Sequence, residues 1–173
     1  MTSARDWKQE HSLETCVLDT SVCIDLYNGG VLNLAFRLSH DLLLPDAIAH
    51  ECVTPTLEEL KNAGATLISL SAEHVALVET YSTKYRGPSI ADLFALSYSK
   101  TEGRTLLTGD KKLREAATKE KVPVHGDLWI LDELISEGLL TKADAIVALK
   151  NMRENGARLP ADECQKRIRR WGK

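Results

Sequence analysis

"CVLDTSVCIDL", residues 16–26, joins a short apolar run to a helix-like segment through Asp19, Thr20 and Ser21. The run reads as a buried strand and the segment after it as a helix that closes on Gly29-Gly30. Two readings of Asp19 follow. It is a good N-cap for the helix. It also stands at the carboxyl end of a strand, the edge at which open α/β sheets bind their ligands.

Outward from this stretch the same rhythm repeats. "DLLLPD" and "ATLISL" read as strands, and "AIAHECV" and "TLEELKNAG" as helices separated by Pro55. "AEHVALVETYSTKY" is amphipathic and stops before Gly87-Pro88, and "SIADLFALSYSKTEG" opens on the capping pair Ser89 and Asp92. "RTLLTGD" gives a fourth strand, "KKLREAATKE" a helix and "VPVHG" a short fifth strand. Strands alternating with helices make an α/β protein with a parallel sheet. After Gly126 three helical segments follow without a strand, with Ala145, Ile146, Leu149 and Met152 at helical spacing. The chain therefore divides into a polar lead-in over 1–15, expected to be flexible, a core over 16–125, and a helical extension over 126–173 that packs on the core within one domain.

With 173 residues, 43% apolar and 27% charged, the chain has a soluble globular composition. A net charge of −3 gives no whole-molecule attraction for nucleic acid, so any such binding needs a local patch. Cys16, Cys23, Cys52 and Cys164 form no C-x-x-C, no apolar run nears the ~18 residues of a membrane span, and the start of the chain lacks a signal-peptide core. The cysteines read as reduced, with Cys16 and Cys23 in the core, and the setting as cytoplasmic. The histidines show no zinc spacing, and His50 reads as a half-buried helix residue. No glycine motif follows the first strand, which argues against a P-loop or dinucleotide site. Ser21 stands where an aspartyl phosphatase needs its second Asp.

Asp19, Asp92 and Asp110 lie at strand ends or helix starts, and Glu51 within the helix after the second strand. Each has a cap or surface reading of its own. Together they point elsewhere, because a parallel sheet gathers its carboxyl ends into one cleft, and clustered carboxylates repel unless a cation sits among them. Oxygen-only ligands suit Mg2+ or Mn2+, and such ions serve in-line hydrolysis of phosphodiesters.

The motifs "VLDTSVCIDL", "LPDAIAHECV", "SIADLFALSYSK" and "RTLLTGDKKLREAA", in this order over residues 16–125, resemble the PIN-domain nucleases, which include the VapC toxins of bacterial toxin-antitoxin pairs. The run from Gly126 to Pro160 is similar to the helical tail of a PIN-like subgroup. The resemblance implies a three-layer α/β fold with a central, mostly parallel sheet of four to five strands flanked by helices. It implies Asp19, Glu51, Asp92 and Asp110 as the catalytic and metal-holding acids, with Thr20, Ser21 and Thr108 as supporting hydroxyls. Glu58 and Glu59 are alternatives to Glu51, and Gly109 departs from the polar residue that the family often has there. It implies a Mg2+- or Mn2+-dependent endoribonuclease, a homodimer, and a small antitoxin protein as partner. A catalytically inactive PIN-like binding or regulatory module is the alternative.

Substrate phosphates need cations, and Lys84, Arg86, Lys111 and Lys112 flank Asp92 and Asp110. The basic end, Lys166, Arg167, Arg169, Arg170 and Lys173 around Trp171, reads as a packed helix end rather than an RNA clamp. Asp25 and Asp127 are candidate outer members of the acid group, but read rather as surface charges, and Trp7 and Trp129 carry no readable role.

Overall fold

In the computed structural model residues 14–173 are described. Trp7 and most of the expected lead-in lie outside them, and Thr15 already belongs to the first strand. In chain order the elements are β1 (Thr15–Leu18), α1 (Thr20–Asn28), α2 (Leu32–Ala35), β2 (Asp41–Pro45), α3 (Asp46–Glu51), α4 (Leu57–Ala63) and β3 (Thr66–Ile68). Then come α5 (Ala72–Lys84), α6 (Ile90–Glu102), β4 (Thr105–Leu107), α7 (Lys111–Lys119), β5 (Val124–His125), α8 (Asp127–Ser136), α9 (Lys142–Glu154) and α10 (Ala161–Trp171).

The five strands form one sheet in the order β3-β2-β1-β4-β5, and every pairing is parallel. The chain builds outward from β1 to β3, then crosses back to place β4 on the other side of β1. β1 and β4 therefore meet where the strand order reverses, the point at which such sheets open a crevice. Both strands need cover on two faces, which explains their continuous apolar runs: Cys16, Val17, Leu18, Leu106 and Leu107 are fully buried.

Right-handed crossovers send the helices of the two runs to opposite faces. α1 packs on α2 and α3, and α6 packs on β1, β2 and β4 between α5 and α7, with α3 touching both α1 and α6. The extension covers the first run: α8 lies on α1 and α2, and α9 on α1, α8 and α10. Its apolar stripe, Ala145, Ala148, Leu149 and Met152, joins the same core. Close approach at this seam requires Gly29, where a Cβ would stand 2.7 Å from Met152 Cε. No described helix is long and apolar enough to cross a membrane.

Local signals set the helix ends. Ser89 and Asp92 cap α6 reciprocally, with Asp92 N–H donating to Ser89 Oγ at 3.1 Å and Ser89 N–H to Asp92 Oδ2 at 3.0 Å. Gly103 ends the helix at φ +63°. The last helix is fastened through Asp132 of α8, which accepts from Arg167 Nε at 2.9 Å, from Trp171 Nε1 at 3.2 Å and from Arg170. Trp171 is buried, as its packed reading required. His50, expected to be half-buried, is exposed because it lies on the outer side of a short helix whose buried face is Ile48 and Ala49.

Asp132→Ala strips three donors of their common acceptor. It is expected to lower stability by about 2 kcal/mol, as for hydrogen bonds involving charged groups, measured by urea unfolding; no change would show that α10 is held by apolar contacts alone.

Candidate active site

The register between β1 and β4 pairs Leu18 with Leu107, so Asp19 and Thr108, the next residues, stand level at the carboxyl edge. The Asp19 N–H donates to the Leu107 carbonyl at 3.1 Å, and its extended backbone turns the chain into α1. The carboxylate is fully buried and surrounded by donors. Val22 N–H donates at 2.9 Å, Ser21 Oγ reaches both oxygens at 2.9 and 3.0 Å, and the Thr108 hydroxyl closes the set.

Each of these hydroxyls also accepts an amide from the loop after β4. Gly109 N–H donates to Ser21 Oγ at 3.1 Å, and Asp110 N–H donates to Thr108 Oγ1 at 3.0 Å. Asp110 caps α7 through Leu113 N–H at 2.8 Å. Asp19, Ser21, Thr108 and Asp110 are thus one hydrogen-bonded unit. Thr20 is outside it; its hydroxyl is buried without a partner among the described residues.

Asp92 joins by charge. Burial holds its carboxyl above the ordinary range, the Ser89 amide and hydroxyl pull it back, and Asp110 pushes it up. Burial likewise raises Asp19 to about 7 against the opposing bonds from Thr108, Val22 and Ser21, with Asp92 adding its repulsion. Glu51 sits on the exposed last turn of α3. The buried Cys52 thiol, hydrogen-bonded to Cys23, feels the charges of both Glu51 and Asp19. Of the alternatives, Glu58 is exposed, and Glu59 is committed to the Thr56 cap and to the Tyr27 hydroxyl at 2.9 Å.

Two acids expected on the surface are buried instead: Asp25 is 7% exposed and Asp127 1%. Their place is set by Gly109. A Cβ on that residue would lie 3.3 Å from Asp127 Oδ2, 3.4 Å from Ser21 Oγ and 3.6 Å from Asp25 Oδ2. The space that a polar side chain would take at Gly109 is bordered by two carboxylates from α1 and α8. Burial raises Asp25 to about 6, eased by a hydrogen bond with Asp127. Asp127 is held well above the ordinary range by burial, then by Asp25 and Asp19. Its oxygens have no donor among the described residues unless a proton is shared with Asp25. The signal was in the chain: Asp25 is four residues from Ser21 on one helix face, and Asp127 follows β5 as Asp19 follows β1.

The expected cations divide. Lys84 is paired with Glu120 at 2.6 Å and lies over the Tyr85 ring, and Lys112 stands 4.0 Å from Glu115 with its stem against Gly87. Arg86 is exposed, and Lys111 borders a cavity next to Gly109 and Asp127. At the opposite, amino-terminal end of the strands, His40 meets Glu133 and Glu137 within 4.8 Å. Those groups already serve one another: His40 Nε2 is 2.9 Å from Glu133, and Glu137 accepts from the Ser39 amide and hydroxyl.

The groups at the carboxyl edge are therefore oxygen donors throughout and rich in carboxylates, the donor type that suits a hard divalent cation, although among the described residues no three of these acids bring ligand atoms within 4.8 Å of one another. A sequence model described as PIN domain matches residues 15–173. The chain belongs to the PIN-domain family. The match takes in the helical extension as well as the strands. No curated protein sequence matches at a significant level. Among solved structures, a PilT N-terminus domain protein of the archaeon Sulfolobus solfataricus aligns with TM-score 0.49 and 12% identity, covering 70% of this chain and 92% of its own. The Rickettsia felis VapBC2 structure, bound to a DNA fragment from their promoter, aligns with TM-score 0.48 and 16% identity, covering 65% and 98%.

Asp19 and Asp25 titrate higher folded than unfolded, so their contribution is full at low pH and lost as pH rises through about 6 to 7. In EDTA, the melting temperature is expected to fall between pH 5 and pH 8, and Asp127→Asn to raise it at pH 8 by about 3 °C. Mg2+ should stabilise the wild type more at pH 8 than at pH 5. A flat profile in differential scanning fluorimetry would show that the acids are not in repulsion.

Proposed function

We propose that this PIN-domain protein is a divalent-metal-dependent ribonuclease acting at the carboxyl edge of β1 and β4. The observation that carries the reading is the unit made by Asp19, Thr108 and Asp110 with Asp92 in electrostatic contact. Asp19, Asp92 and Asp110 would hold the Mg2+ or Mn2+ ion, with Asp127 as a further oxygen donor and Glu51 at the exposed rim. In donor type the residues suit such an ion, because Asp127 has buried oxygens without donors among the described residues and Asp19 is a buried carboxylate. When bound, the metal supplies charge neutralisation of the phosphate and an acidified water for in-line attack.

The chain's own residues do the rest. Thr108 and Ser21 fix the rotamer of Asp19, so the carboxylate does not reorganise as charge develops. The Asp110 cap and the Ser89–Asp92 box hold two more acids at helix starts. Asp25, raised to about 6 by burial, is a group through which a proton can pass near neutral pH, and burial shifts Asp92 in the same direction.

RNA cleavage is expected with Mg2+ or Mn2+ and not with EDTA. Asp19→Asn and Asp92→Asn should each lower the rate by about 10^2–10^3-fold, as for loss of one preorganised electrostatic group. Thr108→Val should lower it by about 10–100-fold, as for a group that orients a ligand. Equal cleavage by wild type and Asp92→Asn, measured on labelled RNA, would remove the proposal. The resemblance to VapC toxins adds a homodimer and a small antitoxin partner in a cytoplasmic setting. Growth arrest on expression of the wild type but not of Asp92→Asn checks that part.

A further inference from the structure

A cavity of about 630 Å3 opens beside the acids, within the roughly 300–1,000 Å3 of small-ligand sites. Gly109 and Asp127 line it together with the segment from Arg158 into α10. The extension thus builds half of a space that adjoins the acid cluster.

The cations in it are not equally free. Arg167 is taken up by Asp132 and Glu163, and Arg114 donates to the Thr108 carbonyl at 2.9 Å. Lys111 and Arg158 have no hydrogen-bond or ion-pair partner among the described residues, and both are exposed. The same cavity is lined by an aromatic stack. The rings of His125 and Trp129 stack with centroids 4.3 Å apart at 6°, and Trp129 is backed by His40 at 4.8 Å. The His125 side chain keeps 36% exposure.

Free cations, a backed ring and a carboxylate cluster at one end fit an anionic chain that also carries planar groups. An acidic peptide would satisfy Lys111 and Arg158 but leave the ring stack unused, whereas a nucleotide uses both. We propose that this cavity holds a nucleotide of single-stranded RNA next to the bond at the acid cluster, its base on the His125–Trp129 stack and its phosphate on Arg158 and Lys111. This rests on the ribonuclease reading above and places the substrate strand on the α8–α10 side of the acids.

The test is anisotropy of a labelled ten-nucleotide single-stranded RNA with the full chain in EDTA, where binding is read without cleavage. Arg158→Glu and His125→Ala should each weaken Kd by about tenfold. His125→Phe, which keeps the ring, should stay within about twofold of wild type, as should Lys61→Glu, a charge-matched control on α4. Arg158→Ala should reduce the salt slope by about 0.7, one phosphate contact on a single strand. Melting curves verify that each variant folds. Unchanged affinity in Arg158→Glu and His125→Ala overturns the proposal, as does equal loss in His125→Phe and His125→Ala, or binding of a poly-glutamate peptide in place of the RNA. Cleavage with Mg2+ separates the two readings. If the wild type cleaves and the cavity variants bind RNA normally, the nuclease reading stands and the cavity falls; cavity-dependent binding without cleavage reverses that.

Discussion

The buried carboxylate of Asp19 is the constraint from which the rest of the architecture follows. A charge removed from water is costly unless donors surround it. Here they come from two separate places in the chain: Ser21 and Val22 next to it, and Thr108 nearly ninety positions away. Thr108 reaches Asp19 only because β4 crosses back to lie beside β1 in the register that sets Leu18 against Leu107. The hydrogen bonds and the topology are therefore the same fact at two scales. A one-residue slip of β4 would turn Thr108 to the other face and leave a buried charge short of a donor.

That arrangement creates a second demand. Burial raises the proton affinity of these acids, repulsion from neighbouring carboxylates adds to it at Asp19, Asp92 and Asp127, and Asp92, Asp127 and Asp25 all stand above the ordinary range. A fold that concentrates repulsion at one edge gives up stability there, and a cation bound only by the folded chain returns it. On the proposed reading, stability and activity draw on the same carboxylates, and Asp25, which caps no helix, has no evident structural task of its own.

Much of the fold was legible because its signals are local. The unbroken apolar runs of β1 and β4 announce strands covered on both faces, and Ser89 with Asp92 announces a helix start. Asp19 and Asp110 were legible as acids after strands. Asp25 and Asp127 were legible only as outer candidates and read rather as surface charges, because single aspartates on helices are usually solvated; their burial beside the space left by Gly109 is a property of packing in three dimensions. The cations divide for a related reason. Proximity in sequence placed Lys84 and Lys112 by the acids; Glu120 is a distant partner that only the fold brings to Lys84, whereas Lys112 and Glu115 are neighbours on one helix. Trp129 had no reading at all until β5 and α8 brought His125 and His40 against it.

The helical extension is commonly the part of such a chain easiest to regard as decoration, yet α8 ties the two ends of the sheet together. Its first residue, Asp127, faces the acids. Its later turns carry Glu133 and Glu137, bound to His40 and Ser39 at the amino-terminal edge, and Asp132, which fastens α10. A helix of this length spans about 15 Å, and a rod fixed at its far end and along its side has little freedom at its near end. The position of Asp127 at the acid cluster is consequently set by contacts a helix length away, among residues that touch no substrate. A purely catalytic sheet would need none of them. Their presence means that the geometry of the acids and the wall of the adjoining cavity are held by one element, so a change in how α10 docks is transmitted to both.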